Sequence, residues 1–233
     1  MIKVCAAGVS PAAQIPCKGM DKISLQRVLP AVFAETPPAD SDIWLKEVTL
    51  EKGTVYLVEA ASGSGKSSFC SYLYGYRRDY SGRILFDDQD IRSLSMTQWS
   101  RLRRNSLSML FQELRLFPEL SALDNVRLKN KLTGYRSEAQ IASFFEALGI
   151  ADKAETPVAK LSFGQQQRVA FIRMLCQPVD FMSLDEPMSH LDDRNAATMA
   201  RILLDEARKS GAGVVVTSIG KRFDIAYDKI FAL

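Results

Sequence analysis

Two hydrophobic rhythms alternate along this chain. Residues 43–50 alternate apolar and polar positions and stop at Lys52-Gly53, the period-2 signature of a strand with one buried face. Residues 54–59 are continuously apolar and β-branched, which suits a strand covered on both faces. An extended stretch over residues 24–33 comes before them, set apart by a Pro/Asp/Ser-rich linker from Glu35 to Asp42. Residues 67–74 read as helix and stop at Gly75. The strongest helical signal covers residues 137–148, where Ile141, Phe144, Phe145 and Leu148 recur at i, i+3, i+4 and i+7. Ser137 and Gln140 form a capping-box pattern ahead of it, and Gly149 stands where a helix end takes a left-handed residue. Further helices are predicted from about Gly164 to before Pro178 and over residues 196–209, with short apolar strands at 181–184 and 213–217. Strands alternating with helices predict an α/β fold with a mostly parallel sheet, into which a helix-rich segment of about residues 113–160 is inserted. No internal repeat is visible.

Composition changes this picture little. The 233 residues, 47% hydrophobic and 24% charged, suffice for one substantial domain, taken as residues 20–233. Residues 1–19 show no periodicity and read as a loose, disordered tail, upstream of a natural start at Met20. A net charge of +3 with scattered basic residues argues against a nucleic-acid partner, and the run Arg101-Leu102-Arg103-Arg104 reads as a solvated helix face. Cys5, Cys17, Cys70 and Cys176 are far apart and read as reduced packing residues of a cytosolic protein. The single histidine, His190, excludes a histidine-built metal site. No apolar run approaches the roughly 18 residues of a membrane span.

The chemistry concentrates where the strand at 54–59 runs into Ala60-Ala61-Ser62-Gly63-Ser64-Gly65-Lys66-Ser67-Ser68. This is a P-loop pattern with Ala60 in place of the usual first glycine, which is tolerable if its φ stays negative. Gly63 and Gly65 let successive N–H groups turn inward on a phosphate, and the helix that follows adds its positive end. Lys66 reaches the outer phosphates of ATP, and the Ser67 hydroxyl is a ligand for Mg²⁺. A glycine-rich turn without a ligand is the bland alternative. The strand at 181–184 ends in Asp185-Glu186-Pro187. Asp185 then holds the metal, and Glu186 orients or deprotonates the attacking water.

Leu161-Ser162-Phe163-Gly164-Gln165, continued by Gln166-Gln167-Arg168-Val169-Ala170, resembles the L-S-G-G-Q signature of the ABC ATPases. The resemblance continues at Gln112, at Leu116-Phe117-Pro118, at Asp124-Asn125-Val126 and at Ser189-His190-Leu191-Asp192, spanning about residues 43–218. It implies a P-loop NTPase fold with a parallel core, an antiparallel β-subdomain and a helical subdomain. It further implies that Ser162, Phe163, Gly164, Gln165 and Asp192 face ATP held by a second subunit, so that a homodimer or ABC heterodimer shares its sites. Gln112 would sense Mg²⁺ and water and link them to a groove formed with residues 113–126. Phe33 is the candidate for stacking on adenine, with a core role as the alternative. Trp44 reads as core.

Two departures stand out. Phe163 replaces a glycine, and Ser218 occupies the place of a histidine that contacts the γ-phosphate in the family, which predicts slower hydrolysis. The stretch Trp99–Asn125 looks like the group serving lipoprotein release, macrolide export and cell division. The resulting expectation is an ATPase on the cytoplasmic face of the inner membrane, driving a separate permease. A soluble ABC ATPase acting on ribosomes, nucleic acid or protein complexes is the alternative, and a non-hydrolysing assembly module is a third reading.

Overall fold

The computed structural model describes residues 19–61, 63–188 and 191–233. The expectations about residues 1–18, and those on Ser62, Ser189 and His190, lie outside the described residues.

The chain opens with strands β1 (Lys22–Pro30), β2 (Glu47–Glu51) and β3 (Val55–Glu59), followed by helix α1 (Lys66–Leu73). Next come β4 (Tyr80–Phe86), β5 (Gln89–Asp90), α2 (Met96–Asn105) and β6 (Leu107–Leu110). Helices α3 (Ala122–Asn130), α4 (Glu138–Ala147) and α5 (Phe163–Met174) lead to β7 (Phe181–Asp185). The chain then runs through α6 (Asp193–Ser210), β8 (Gly213–Ser218) and β9 (Lys229–Ala232). The fold is mixed α/β. One sheet is antiparallel, in the order β2-β1-β4-β5, and the other is parallel, in the order β6-β7-β8-β3-β9.

The parallel strands are buried on both faces, and their alternation sorts the core into two layers. Leu57, Met182, Leu184, Val214 and Val216 face one cluster with α3, α4, α5 and α6. Tyr56, Val58, Phe181 and Val215 face the other, with α1, α2 and the antiparallel sheet. A buried phenylalanine such as Phe171 or Phe69 contributes about 2–3 kcal/mol by leaving water. Residues 113–160 contain α3 and α4, which pack on α5. Asn125, fully buried, clamps Phe117 by accepting from its N–H at 2.8 Å and donating to its carbonyl at 3.0 Å. The Arg136–Glu206 ion pair ties the entrance of α4 to α6. No helix among the described residues is long and apolar enough to cross a membrane.

The structure corrects the sequence reading in several places. The alternation over 43–50 is strand only from Glu47. Ser41 Oγ accepts from the N–H groups of Ile43 (3.1 Å) and Trp44 (2.8 Å), and Leu45 takes a left-handed φ of 60°, so Ile43 and Trp44 are buried on a turn. The stretch 24–33 is strand to Pro30 and then a 3-10 turn at Ala31–Phe33. Within Arg101–Arg104 only the outer two arginines are solvated. Arg103 donates to the carbonyls of Tyr74 and Gly75 at 3.0 Å each and lies against the Trp99 and Tyr76 rings, where a desolvated cation gains from the ring quadrupole. Cys70 and Cys176 are buried thiols that burial pushes well above their ordinary pKa, Cys176 to about 12.

Candidate active site

The phosphate loop joins β3 to α1. Gly63 (φ 83°) and Gly65 (φ 99°) adopt the left-handed conformation that lets the loop fold back. Gly65 is also fixed by space, because a Cβ there would come within 3.0 Å of Phe33 and 3.1 Å of Trp44. Ala60 is not among the positive-φ residues, so its methyl group is accommodated, and its N–H donates to Ser218 O at 3.1 Å. Trp44 Nε1 donates to Ser64 O at 3.1 Å, so this core residue also holds the loop in place. Phe33 is half-buried beside Gly65. Lys66 is buried, and its Nζ donates to Ala61 O at 3.0 Å and lies 3.7 Å from Glu186 Oε1. Ser68, also buried, accepts from Arg77 Nη1 at 2.8 Å. Among the described residues no side chain caps α1, whose N-cap is Gly65.

β7 delivers Asp185 and Glu186 to the same place. Parallel register sets Asp185 level with Thr217 on β8, and Thr217 Oγ1 donates to Asp185 Oδ1 at 2.7 Å. Burial pushes the Asp185 carboxyl up, and hydrogen bonds from Thr217 and Ser67, together with the Lys66 charge, partly oppose this. Glu186 leaves the strand with φ 50°, a costly conformation for a non-glycine residue, and its N–H donates to Thr217 Oγ1 at 3.3 Å. Gln112, exposed beyond β6, donates from Nε2 to Glu186 Oε2 over a long 3.5 Å. Lys66, Gln112, Asp185 and Glu186 are thus brought together from three separate parts of the chain.

The remaining predicted residues lie elsewhere in the chain. Ser162 is the N-cap of α5. Its Oγ accepts from Gln165 N at 3.3 Å while Gln165 Oε1 accepts from Ser162 N at 2.9 Å, a reciprocal capping box. Gly164 O accepts from Arg168 Nε at 3.1 Å, and the Phe163 ring is 41% exposed. Asp192 caps α6, its two oxygens taking Asn195 N (2.8 Å) and Nδ2 (2.7 Å), and these bonds hold its carboxyl below the usual range. Ser218 is 1% exposed and donates its hydroxyl to Lys221 O at 2.6 Å.

Sequence reasoning passed over Thr217, although it ends the valine strand level with Asp185. It also passed over two α5 residues that reach toward this region. Gln167 Nε2 donates to Pro187 O at 2.6 Å, and Arg168 Nη1 donates to Asn195 Oδ1 at 3.2 Å.

A parallel sheet with a lysine-bearing phosphate loop after one strand and an Asp-Glu pair after another defines a P-loop nucleotide hydrolase. Residues 46–189, more than half of the chain, match the ABC transporter family, and the chain belongs to that family: it is an ABC ATPase, an ATP-binding and ATP-hydrolysing cassette. It is 35% identical over 175 residues to the macrolide export ATP-binding/permease protein MacB of Rhodopseudomonas palustris (strain HaA2), covering 74% of this chain and 27% of that protein. It is 29% identical over 180 residues to the lipoprotein-releasing system ATP-binding protein LolD of Alcanivorax borkumensis, covering 76% of this chain and 79% of that one. The alignment takes in only about a quarter of the MacB protein, and 51% of a methionine import ATP-binding protein, MetN 2 of Rhodococcus jostii. In structure the chain resembles the dimeric ATP-binding cassette MJ0796 in a post-hydrolysis state bound to ADP and Pi. There the TM-score is 0.69 at 25% identity, over 84% of this chain and 87% of that one.

Proposed function

We propose that this chain is the ATPase subunit of a membrane transport complex, that two ATPase subunits close around Mg-ATP, and that their closure drives a separate permease on the cytoplasmic face of the membrane. One observation carries the two-subunit part. Lys66, Gln112, Asp185 and Glu186 converge, whereas the polar contacts of Ser162 and Gln165 among the described residues lie within α5 itself. A second copy supplies what the first half-site lacks. The Ser162 hydroxyl, while accepting from Gln165, keeps its own proton for an anion, and the positive end of α5 favours that anion.

Among the described residues no group of three His, Cys, Asp or Glu can hold a metal unaided. The donors present fit Mg²⁺ nonetheless, since that ion needs only one or two protein carboxylates and completes its octahedron with other oxygens, phosphate and water. Asp185, the Ser67 hydroxyl and the Gln112 amide oxygen would hold it, and it would neutralise charge on the phosphates. The buried Asp185 carboxylate gains a counter-charge on loading. Lys66 leaves Glu186 for the phosphates, which frees the Glu186 carboxylate to orient water and take its proton. Phe33, beside Gly65, would stack on the base, and Ser68 keeps the α1 N-terminus aligned through Arg77. Hydrolysis is slower than in relatives bearing a histidine at the place of Ser218, because the serine proton goes to Lys221 O.

The permease reading rests on the transporter relatives and on a groove of about 230 Å³ between β6, α3 and α5. Exposed Phe117, Leu128 and Leu132 line or rim it together with Lys129 and Arg173, an apolar floor with cationic edges suited to a helix from a membrane partner.

Glu186→Gln tests the shared site. The variant is expected to bind ATP, to sediment as an ATP-dependent dimer, and to lose at least about a hundredfold in phosphate release. An ATP-bound variant that stays monomeric at all concentrations sinks the proposal.

A further inference from the structure

The loop after β8 is organised in a way that the nucleotide-binding residues do not require. Ser218 carries its backbone carbonyl to Ala60 at the entrance of the phosphate loop (3.1 Å) and its hydroxyl to Lys221 O (2.6 Å). Gly220, at φ 85°, closes this tight turn. Arg222 Nη1 is fixed on Glu59 Oε1 at 2.9 Å, one residue before Ala60. Between these contacts the Lys221 side chain reaches across to the segment that opens α6. Its Nζ donates to Leu191 O at 3.2 Å and lies 3.1 Å from Asp193 Oδ1.

Asp193 is almost fully exposed, and an ion pair in water contributes little. The bond to the Leu191 carbonyl is therefore the anchoring one. Through it Lys221 joins the loop after β8 to residues 191–193. Those residues connect onward to α5, because Asp192 holds Asn195, and Asn195 Oδ1 accepts from Arg168. A continuous set of direct bonds therefore runs from α5, through the start of α6, to Lys221, Ser218 and the phosphate loop. The serine at 218 is part of that path because its hydroxyl shapes the turn that presents Lys221.

We propose that Lys221 is a positioning residue for the shared ATP site, holding residues 191–193 against the end of β8 so that the ATP-loaded half-site and the surface offered to the second subunit stay in register. This rests on the two-subunit reading above. Lys221 touches no reacting atom. Its effect is on how well the loaded halves fit, so its loss reduces closure and turnover more than ATP capture by one subunit.

The test uses Lys221→Met and Lys221→Arg, each alone and combined with Glu186→Gln. Sedimentation reads ATP-driven dimerisation, steady-state kinetics separate kcat from KM, and thermal melting reports the fold. Lys221→Met is expected to lower kcat about tenfold with KM for ATP within about twofold, and to weaken dimerisation about tenfold in the Glu186→Gln background. Lys221→Arg should restore most of both, because a guanidinium also reaches Leu191 O, and Asp193→Asn should change neither. If the Glu186→Gln parent dimerises and its Lys221→Met derivative dimerises equally well, the role of Lys221 is overturned while the shared site stands. A melting point that falls in step with kcat also overturns it, since support of the fold would then suffice. If the parent itself fails to dimerise with ATP, the two-subunit reading falls and takes this proposal with it.

Discussion

Asp185 is costly to the nucleotide-free protein. Its carboxyl is disfavoured in the charged form chiefly by burial, so its pKa lies above the unfolded value. Above the raised folded pKa the charge is present in both states, and the burial penalty acts in full. As pH falls through the raised folded pKa toward the unfolded value near 4, the penalty disappears. Asp185→Asn should therefore melt a few degrees higher than wild type at pH 7 without nucleotide, a gain that vanishes near pH 4. It should also abolish the further stabilisation by Mg-ATP. Calorimetry with and without Mg-ATP checks both, and an unchanged or lower melting point at pH 7 would contradict the burial argument. Ser218 makes a second prediction at this scale. Ser218→His should raise turnover of the assembled complex several-fold if the missing histidine limits the rate, and an unchanged kcat would refute that cause. The histidine must also manage without the hydroxyl bond to Lys221 O, so kcat is to be read beside the melting point.

At the scale of elements, three helices begin with the same device. Ser95–Gln98, Ser137–Gln140 and Ser162–Gln165 are capping boxes at α2, α4 and α5. An N-cap serine replaced by alanine costs about 1 kcal/mol. Ser137→Ala and Ser162→Ala should thus lower stability by similar amounts in urea unfolding. Only Ser162→Ala should impair ATP-driven dimerisation, and equal impairment by both would mean that the Ser162 hydroxyl does no more than cap its helix. The 137–148 helix and the phosphate loop were legible in the sequence because their determinants are local: a capping pair, a 3.6-residue period, and glycines where φ turns positive. Residues 43–46 were misread because the Ser41 turn buries the adjacent pair Ile43 and Trp44 together, and nothing in the local pattern announces a turn that does so. β4 escaped because Ser81-Gly82-Arg83 put polar residues where a strand is sought, and Arg103 was read as solvated because no local pattern announces the Tyr74 carbonyl and Trp99 ring it lies against. Thr217 and Lys221 acquire their roles from neighbours distant in sequence, Asp185 and Leu191, and no local pattern announces such pairs.

For the whole molecule, the groove between β6, α3 and α5 is the surface whose purpose the isolated chain does not use. Phe117 and Leu132, 53% and 51% exposed, are solvent-facing at its edges, so changing them leaves the core intact. The double variant Phe117→Asp, Leu132→Asp should keep the basal ATPase rate and melting point of the isolated chain and lose copurification with a polytopic membrane protein. Retained copurification would place the permease contact elsewhere. Recovery of the wild-type chain with ribosomes and without any membrane protein would remove the transport reading altogether.

The order of strands in the parallel sheet has a further consequence, for biosynthesis. β3, which launches the phosphate loop, lies between β8 and β9, which come from residues 213–218 and 229–232, far along the chain from Lys66. On a ribosome the Lys66 loop emerges well before the two strands that flank its base. Pairings of such long sequence separation are slow to form. Nascent chains arrested before Gly213 clears the exit tunnel should expose residues 55–66 to protease and retain no ATP analogue, so the phosphate loop is made well before the strands that let it hold a nucleotide.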